Sequence, residues 1–220
     1  MSAKHFEIRL CDACGLRYPL TDAGTFGKRC PACLGTTRLV LSRDLLPLEQ
    51  PPAPSSVSRA PPLSALLDNV RSAWNVGAIF RSADGLGVGK LYLCGITPTP
   101  ESKAVTKTSL GAEKNVAWEH TQDAVATARK LKATGRRLVA LEQDGRSIPL
   151  PAKPINDLRN TVLVVGNEVT GVDPELLDLC DQIMHIPMRG NKRSLNVEVA
   201  FAIAAYTLIH HAENKKTPLG

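Results

Sequence analysis

The sequence is poor in aromatic residues. They make up 4% of its 220 residues, too few for the sheet-surface platforms on which some RNA-binding domains stack bases. No apolar run approaches the roughly 18 residues that a membrane span needs. The opening segment, MSAKHFEIRLCDAC, breaks every short apolar stretch with a charge, so no secretory signal is expected. These absences predict a cytoplasmic protein with no membrane partner and with reduced cysteines. The five histidines show no metal-ligand spacing, and no internal repeat is present.

What the chain does have is 43% hydrophobic residues and a formal net charge of +6. That is enough core for one full-sized domain plus a small module, with a basic excess that suits a polyanion. Three zones follow. Residues 1–45 hold four of the six cysteines. Residues 46–62 include PLEQPPAPSSVSRAPP, with six prolines, and read as an extended linker. Residues 63–220 alternate strand-like and helical patterns. Strands are expected at 64–70, 90–96, 136–142 and 161–166. Helices are expected at 75–87, at 121–135 with Thr121 as N-cap and Gly135 as stop, and at 194–212. Such alternation predicts an α/β domain with a mostly parallel sheet. The run Ala83-Asp-Gly-Leu-Gly-Val-Gly-Lys90-Leu91 resembles a phosphate loop only superficially. Asp84 replaces the first glycine and Leu91 the magnesium-holding Ser or Thr, so its glycines read as a helix-to-strand turn.

The small module carries Cys11-x-x-Cys14, fifteen intervening residues, then Cys30-x-x-Cys33. Two such knuckles bring four thiolates around one tetrahedral zinc, forming a zinc ribbon. A segment this short has little core, so metal would supply much of its folding free energy. A disulfide pair is the alternative. Asp12, Arg17, Lys28, Arg29 and Arg38 are candidates for RNA contact. Cys94 and Cys180 stand alone in apolar segments and read as core residues.

Three segments of the larger zone carry the functional signal. They are Asn69-Val-Arg-Ser-Ala-Trp-Asn75-Val-Gly-Ala-Ile-Phe-Arg81, Val165-Gly166-Asn167-Glu168-Val-Thr-Gly171, and Ile186-Pro187-Met188-Arg-Gly-Asn-Lys-Arg-Ser194-Leu195-Asn196-Val197. Each sets polar residues against a strand end or helix start, where ligands bind in open α/β sheets. These segments resemble motifs 1, 2 and 3 of the SpoU/TrmH family in the SPOUT superfamily of RNA methyltransferases, a resemblance that covers roughly residues 64–212. It implies a C-terminal deep trefoil knot, a homodimer and S-adenosylmethionine bound in the knot. It implies methyl transfer to a ribose 2′-hydroxyl of transfer or ribosomal RNA.

By position, the resemblance makes Arg81 the catalytic arginine, Asn75 the asparagine beside it, and Glu168 the glutamate that orients the site. Ser194 and Asn196 are the polar pair of motif 3. Cofactor contacts are expected from Leu141, Glu142, Gln143, Gly166, Ile186, Met188 and Leu195. Ile186, Met188 and Leu195 would frame an apolar slot for adenine, and Gly166 would allow close backbone approach to the ligand. Glu198 departs from the family's usual small residue. The basic run Arg189, Lys192 and Arg193 in motif 3 reads equally as an RNA-phosphate contact or a solvated loop, and Arg81 as the activating group, a stabiliser of developing alkoxide charge or a holder of an adjacent phosphate. Two other readings remain at this stage: a non-catalytic zinc-ribbon RNA-binding protein on a methyltransferase scaffold, and an RNA base methyltransferase.

Overall fold

The computed structural model describes residues 5–21, 28–44, 63–150, 155 and 157–213, with only the backbone of 211–213. The proline-rich segment 46–62 lies outside the described residues. The rest forms two compact units, one on either side of that segment.

The first unit is a three-stranded antiparallel sheet of β1 (His5–Cys11), β2 (Arg17–Thr21) and β3 (Thr37–Asp44), with β1 in the middle. Arg9, in the central strand, is almost fully buried. Its guanidinium donates to Glu7, to the Thr37 hydroxyl and to the Thr37 carbonyl. A charge is tolerated there because every side of it is paired. Leu39, Val40 and Leu41 of β3 stay exposed, so this sheet has little apolar core of its own.

The second unit is built on seven strands: β4 (Ser64–Asp68), β5 (Lys90–Cys94), β6 (Ala117–Thr121), β7 (Arg137–Leu141), β8 (Ile148–Pro149), β9 (Thr161–Val165) and β10 (Gln182–His185). Their order across the sheet is β6-β5-β4-β9-β7-β10-β8, and every pairing is parallel. Helices cover both faces, which is what buries a parallel sheet. Strand alternation sorts the core. Leu67, Leu91, Leu93, Leu163 and Val165 face α1 (Ala73–Leu86) and α5 (Val197–Glu213). Leu66, Tyr92, Cys94, Val162 and Val164 face α3 (Ala124–Ala133) and α4 (Pro174–Leu179). A seven-residue helix, α2 (Lys103–Ser109), packs on α1. There Gly77 is required, since a Cβ would meet the Val105 carbonyl at 2.5 Å.

The expected strands and long helices are present with shifted ends. α3 begins two residues after the sequence reading. Asp123, not Thr121, caps it by accepting from the Ala126 amide, while Thr121 ends β6 and its hydroxyl bonds that of Thr127. The 83–91 glycines form the expected turn, with Gly87 as a left-handed C-cap at φ 71°. Cys94 is fully buried, but Cys180 is only half-buried. Among the described residues no helix is long and apolar enough to cross a membrane.

Candidate functional site

Because all strands run the same way, the loops after β4, β7, β9 and β10 emerge at one edge of the sheet. The chain leaves β4 toward β5 on one side and has β9 on the other, so the edge opens between these neighbours. The loop after β9 is a tight turn in which Asn167 and Gly171 bridge, each backbone amide donating to the other's carbonyl at 3.0 and 2.9 Å. Asn167 Oδ1 accepts from the Val169 and Thr170 amides, and its Nδ2 donates to the Asn69 carbonyl in the loop after β4. Gly166 has no room for a side chain. A Cβ would lie 2.2 Å from the Gly171 carbonyl carbon. The close approach expected toward a ligand is thus, first, an approach to the chain's own turn.

That turn projects Glu168 onto the first turn of α1. Oε2 accepts from the Arg71 amide at 2.9 Å, and Oε1 accepts from the Ser72 amide at 3.0 Å and from Asn75 Nδ2 at 2.9 Å. Asn75 Oδ1 accepts in turn from Asn196 Nδ2 at 3.0 Å, and Asn196 Oδ1 caps α5 by accepting from the Glu198 amide. One polar chain therefore joins Glu168, Asn75 and Asn196 across three segments far apart in sequence. Partial burial opposes ionisation of Glu168, but the Arg71 and Ser72 amides and Asn75 outweigh it and hold the carboxyl below its ordinary value. A carboxylate at a helix N-terminus is also favoured by the macrodipole. Both of its oxygens accept, so the Glu168 carboxylate ties the turn after β9 to the start of α1.

Beside this chain is a cavity of about 320 Å³ at the ends of β7, β9 and β10, within the range of roughly 300–1,000 Å³ of small-ligand sites. Leu141, Glu142, Gln143, Gly166, Ile186, Met188 and Leu195 all line it, as do Glu168 and Ser194. Val165, His185, Val197 and Ala200 also line it, though the sequence analysis assigned them no cofactor contact, and it gave Asn167 and Ser72, which join the loops, no role. Ser72 was visible as an N-cap residue type and does cap α1. Glu142 is held by the Val172 amide, and Gln143 Nε2 donates to the Arg193 carbonyl. Arg81 does not join this cluster. It is exposed on α1, six residues beyond Asn75, and makes no side-chain hydrogen bond or ion pair among the described residues. Glu198 accepts from the Ser82 hydroxyl at 2.8 Å and ties α5 to α1.

The donor set fits S-adenosylmethionine. Leu141, Ile186, Met188 and Leu195 offer the apolar surface an adenine needs. Glu142, Gln143 and Ser194 offer polar groups beside that surface.

In the first unit the four sulfurs of Cys11, Cys14, Cys30 and Cys33 lie within 4.8 Å of one another. Zn–S bonds of about 2.3 Å put tetrahedral sulfurs roughly 3.8 Å apart. The two knuckles match: the Gly15 amide donates to the Cys11 carbonyl and the Leu34 amide to the Cys30 carbonyl. Both turns use a left-handed residue, Gly15 at φ 72° and Leu34 at φ 59°. The sulfurs touch in pairs, Cys11 with Cys33 at 3.5 Å and Cys14 with Cys30 at 3.6 Å. The Cys14 amide pulls Cys11 down to about 6, while Cys33 is driven up to about 12 by the neighbouring thiols in spite of the Gly35 amide. Four converging sulfurs present the donor set of a soft cation.

Residues 62–206 match the SpoU rRNA Methylase family. A tRNA (guanosine(18)-2′-O)-methyltransferase of Aquifex aeolicus is 33% identical over 153 residues, which cover 70% of this chain and 71% of that protein. The crystal structure of the A. aeolicus TrmH/SpoU tRNA modifying enzyme superimposes with a TM-score of 0.64 at 33% identity, over 71% of this chain and 78% of that one. An AdoMet-bound rRNA methyltransferase of Sinorhizobium meliloti superimposes with a TM-score of 0.62 at 26% identity, over 71% of this chain and 57% of that one. The cysteine unit lies outside the family match. Everything that builds the polar chain and the cavity lies inside it, and the chain belongs to the SpoU rRNA Methylase family.

Proposed function

We infer that the chain transfers a methyl group from S-adenosylmethionine to a ribose 2′-hydroxyl of RNA. The carrying observation is the polar chain Glu168–Asn75–Asn196 beside a cavity whose lining suits that cofactor. Relatives named as tRNA and rRNA methyltransferases support RNA as the substrate class.

When bound, the cofactor supplies an electrophilic methyl carbon on a sulfonium. The chain's part is to orient and to handle charge. Leu141, Ile186, Met188 and Leu195 would hold the adenine and exclude water, and Ser194 would hydrogen-bond at the cavity rim. Glu168 fixes the start of α1, so that Asn75 and Asn196 present their amides in one orientation. A guanidinium is a poor general base. The role of Arg81 in this reading is to stabilise the oxyanion that develops at the ribose or to grip the adjacent phosphate.

Three finer readings accompany this one. The cysteine unit is a zinc ribbon, supported by the four converging sulfurs. The segment from β10 to α5 takes part in the trefoil knot, supported by family membership. The active form is a homodimer, supported by a face on which Val199, Ile203 and Tyr206 of α5 are exposed and on which Ile203 and Tyr206, with Ser82 and Leu86 of α1, border a shallow concavity of about 560 Å³.

The test is incubation of purified protein with methyl-labelled S-adenosylmethionine and total RNA from cells lacking it. Complete digestion should recover the label in 2′-O-methylated nucleosides. Label in the bases would replace this reading with base methylation, and no label would leave a binding protein.

A further inference from the structure

The indole of Trp74 stands in an unusual place. It belongs to the first turn of α1, one residue before Asn75 and about 100° around the helix from it, yet it is 56% exposed. Tryptophan is the most costly side chain to leave in water, and this sequence has only two. The backbone just before it is pinned. The Arg71 and Ser72 amides are held by Glu168, and Ser72 caps the helix. The ammonium of Lys107, from α2, lies over the ring at 5.5 Å from its centroid.

Cations outnumber acids around Trp74: the carboxylates of the adjoining segments are Glu168, hydrogen-bonded to the start of α1, and Glu101 ahead of α2. Arg71, Arg81, Lys103 and Lys107 are all exposed, and none forms an ion pair among the described residues. Neither the first turn of α1 nor any position of α2 carries an acidic side chain. A cation-backed π surface on segments that carry further cations without ion pairs among the described residues complements a flat base attached to a phosphate chain. It is a single ring on a helix, so the scarcity of aromatics that argues against a sheet platform does not bear on it.

We propose that Trp74 is a stacking platform for a nucleobase of the RNA substrate, with Lys107, Lys103 and Arg71 gripping the flanking phosphates. The proposal rests on the RNA-methylation reading, and names where the RNA lies relative to the reacting centre: across the start of α1, on the α2 side. Trp74 positions substrate and takes no part in the chemistry.

The test uses the full chain and two probes, a mixed-sequence single-stranded RNA 12-mer and a 12-mer ribose-phosphate chain without bases. RNA should quench tryptophan fluorescence, and the abasic chain should bind with little quenching. Trp74→Phe should abolish that quenching, because the remaining Trp118 is half-buried against the core, while RNA affinity stays within about threefold. Trp74→Ala should weaken RNA binding roughly tenfold, the scale of one lost base stack. In methyl transfer to total RNA it should raise KM by a similar factor with little change in kcat. Unchanged affinity in Trp74→Ala, or equal quenching by the abasic chain, would overturn the proposal. So would a change in oligomeric state on substitution, which would assign the ring to a second copy of the chain. RNA-specific quenching without methyl transfer by the unsubstituted protein would retain the platform and remove the enzymatic reading.

Discussion

Replacing Glu168 by Gln separates an anchoring carboxylate from a catalytic base. The native carboxylate accepts three hydrogen bonds, two from backbone amides at the start of α1 and one from Asn75. Gln keeps one oxygen, which can serve Ser72 and Asn75, and turns an NH₂ toward the Arg71 N–H. Hydrogen bonds to charged groups are worth about 1.5–3 kcal/mol when shielded. Glu168 is solvent-exposed, so water replaces much of that, and a net loss of about 1–2 kcal/mol is expected. For a unit of this size that lowers Tm by roughly 2–8 °C. The carboxyl is held below its ordinary 4.5, so its contribution is complete above pH 4.5 and is lost as pH falls through the folded-state value. The stability gap between Glu168→Gln and the native chain should therefore be constant from pH 8 to about 5.5 and close below 4.5. Loosened Asn75 geometry should cut kcat about 10- to 100-fold. Urea titrations across pH and single-turnover methyl transfer measure both effects. A variant of native stability whose activity is abolished, paired with a native pH–rate limb that titrates at Glu168, would refute the anchor and make Glu168 the base.

Gly166→Ala should lose several kcal/mol of stability and most cofactor affinity. Its Cβ meets the Gly171–Val172 backbone at 2.2–2.3 Å, and calorimetric titration and thermal melting would expose any error in that geometry. The cysteine unit should bind one zinc per chain, and Cys30→Ser or chelation should melt that unit while leaving the larger unit's transition unmoved, as metal analysis and two-probe melting would establish. Arg81→Ala should abolish methyl transfer with Tm and S-adenosylmethionine affinity unchanged, because the side chain is exposed and outside the cavity lining; normal turnover would remove it from the mechanism.

The sequence disclosed the elements that bury continuous apolar runs and hid those that do not. SALLD and TVLVV are wholly buried strands and were legible as such. β6, reading AWEHT, is mostly exposed, β8 has two residues, and β10 has four. None presents a period long enough to detect. α2 hides for a different reason. Its KAVTKTS carries three β-branched residues, which favour strand locally, and packing against α1 overrides that preference. The ribbon strands were missed because β3 is exposed along nearly its whole length. The thiol spacing, not a hydrophobic pattern, was the legible signal there. At the start of α3, Thr121 and Asp123 are both good caps, and only the strand register of β6 decides between them.

The site divides along another line. Glu168, Asn75 and Asn196 are 93 and 121 residues apart in pairs, so no local pattern links them, and only resemblance to a family put them together. Once folded, the three are joined by hydrogen bonds within the chain. Arg81 is the reverse. On a helix it lies about 240° around from Asn75, and its guanidinium has no partner among the described residues. A group tied to neighbours within its own fold is well placed to hold geometry. A group that costs nothing to redirect is free to meet charge arriving from outside. Physical reading of one chain therefore identifies the anchors of such a site readily, whereas the residue facing the substrate looks like ordinary solvated surface. Only the supply of a polyanion or a second subunit would give Arg81 something to do, which is why its test is kinetic and the test of Glu168 is thermodynamic as well.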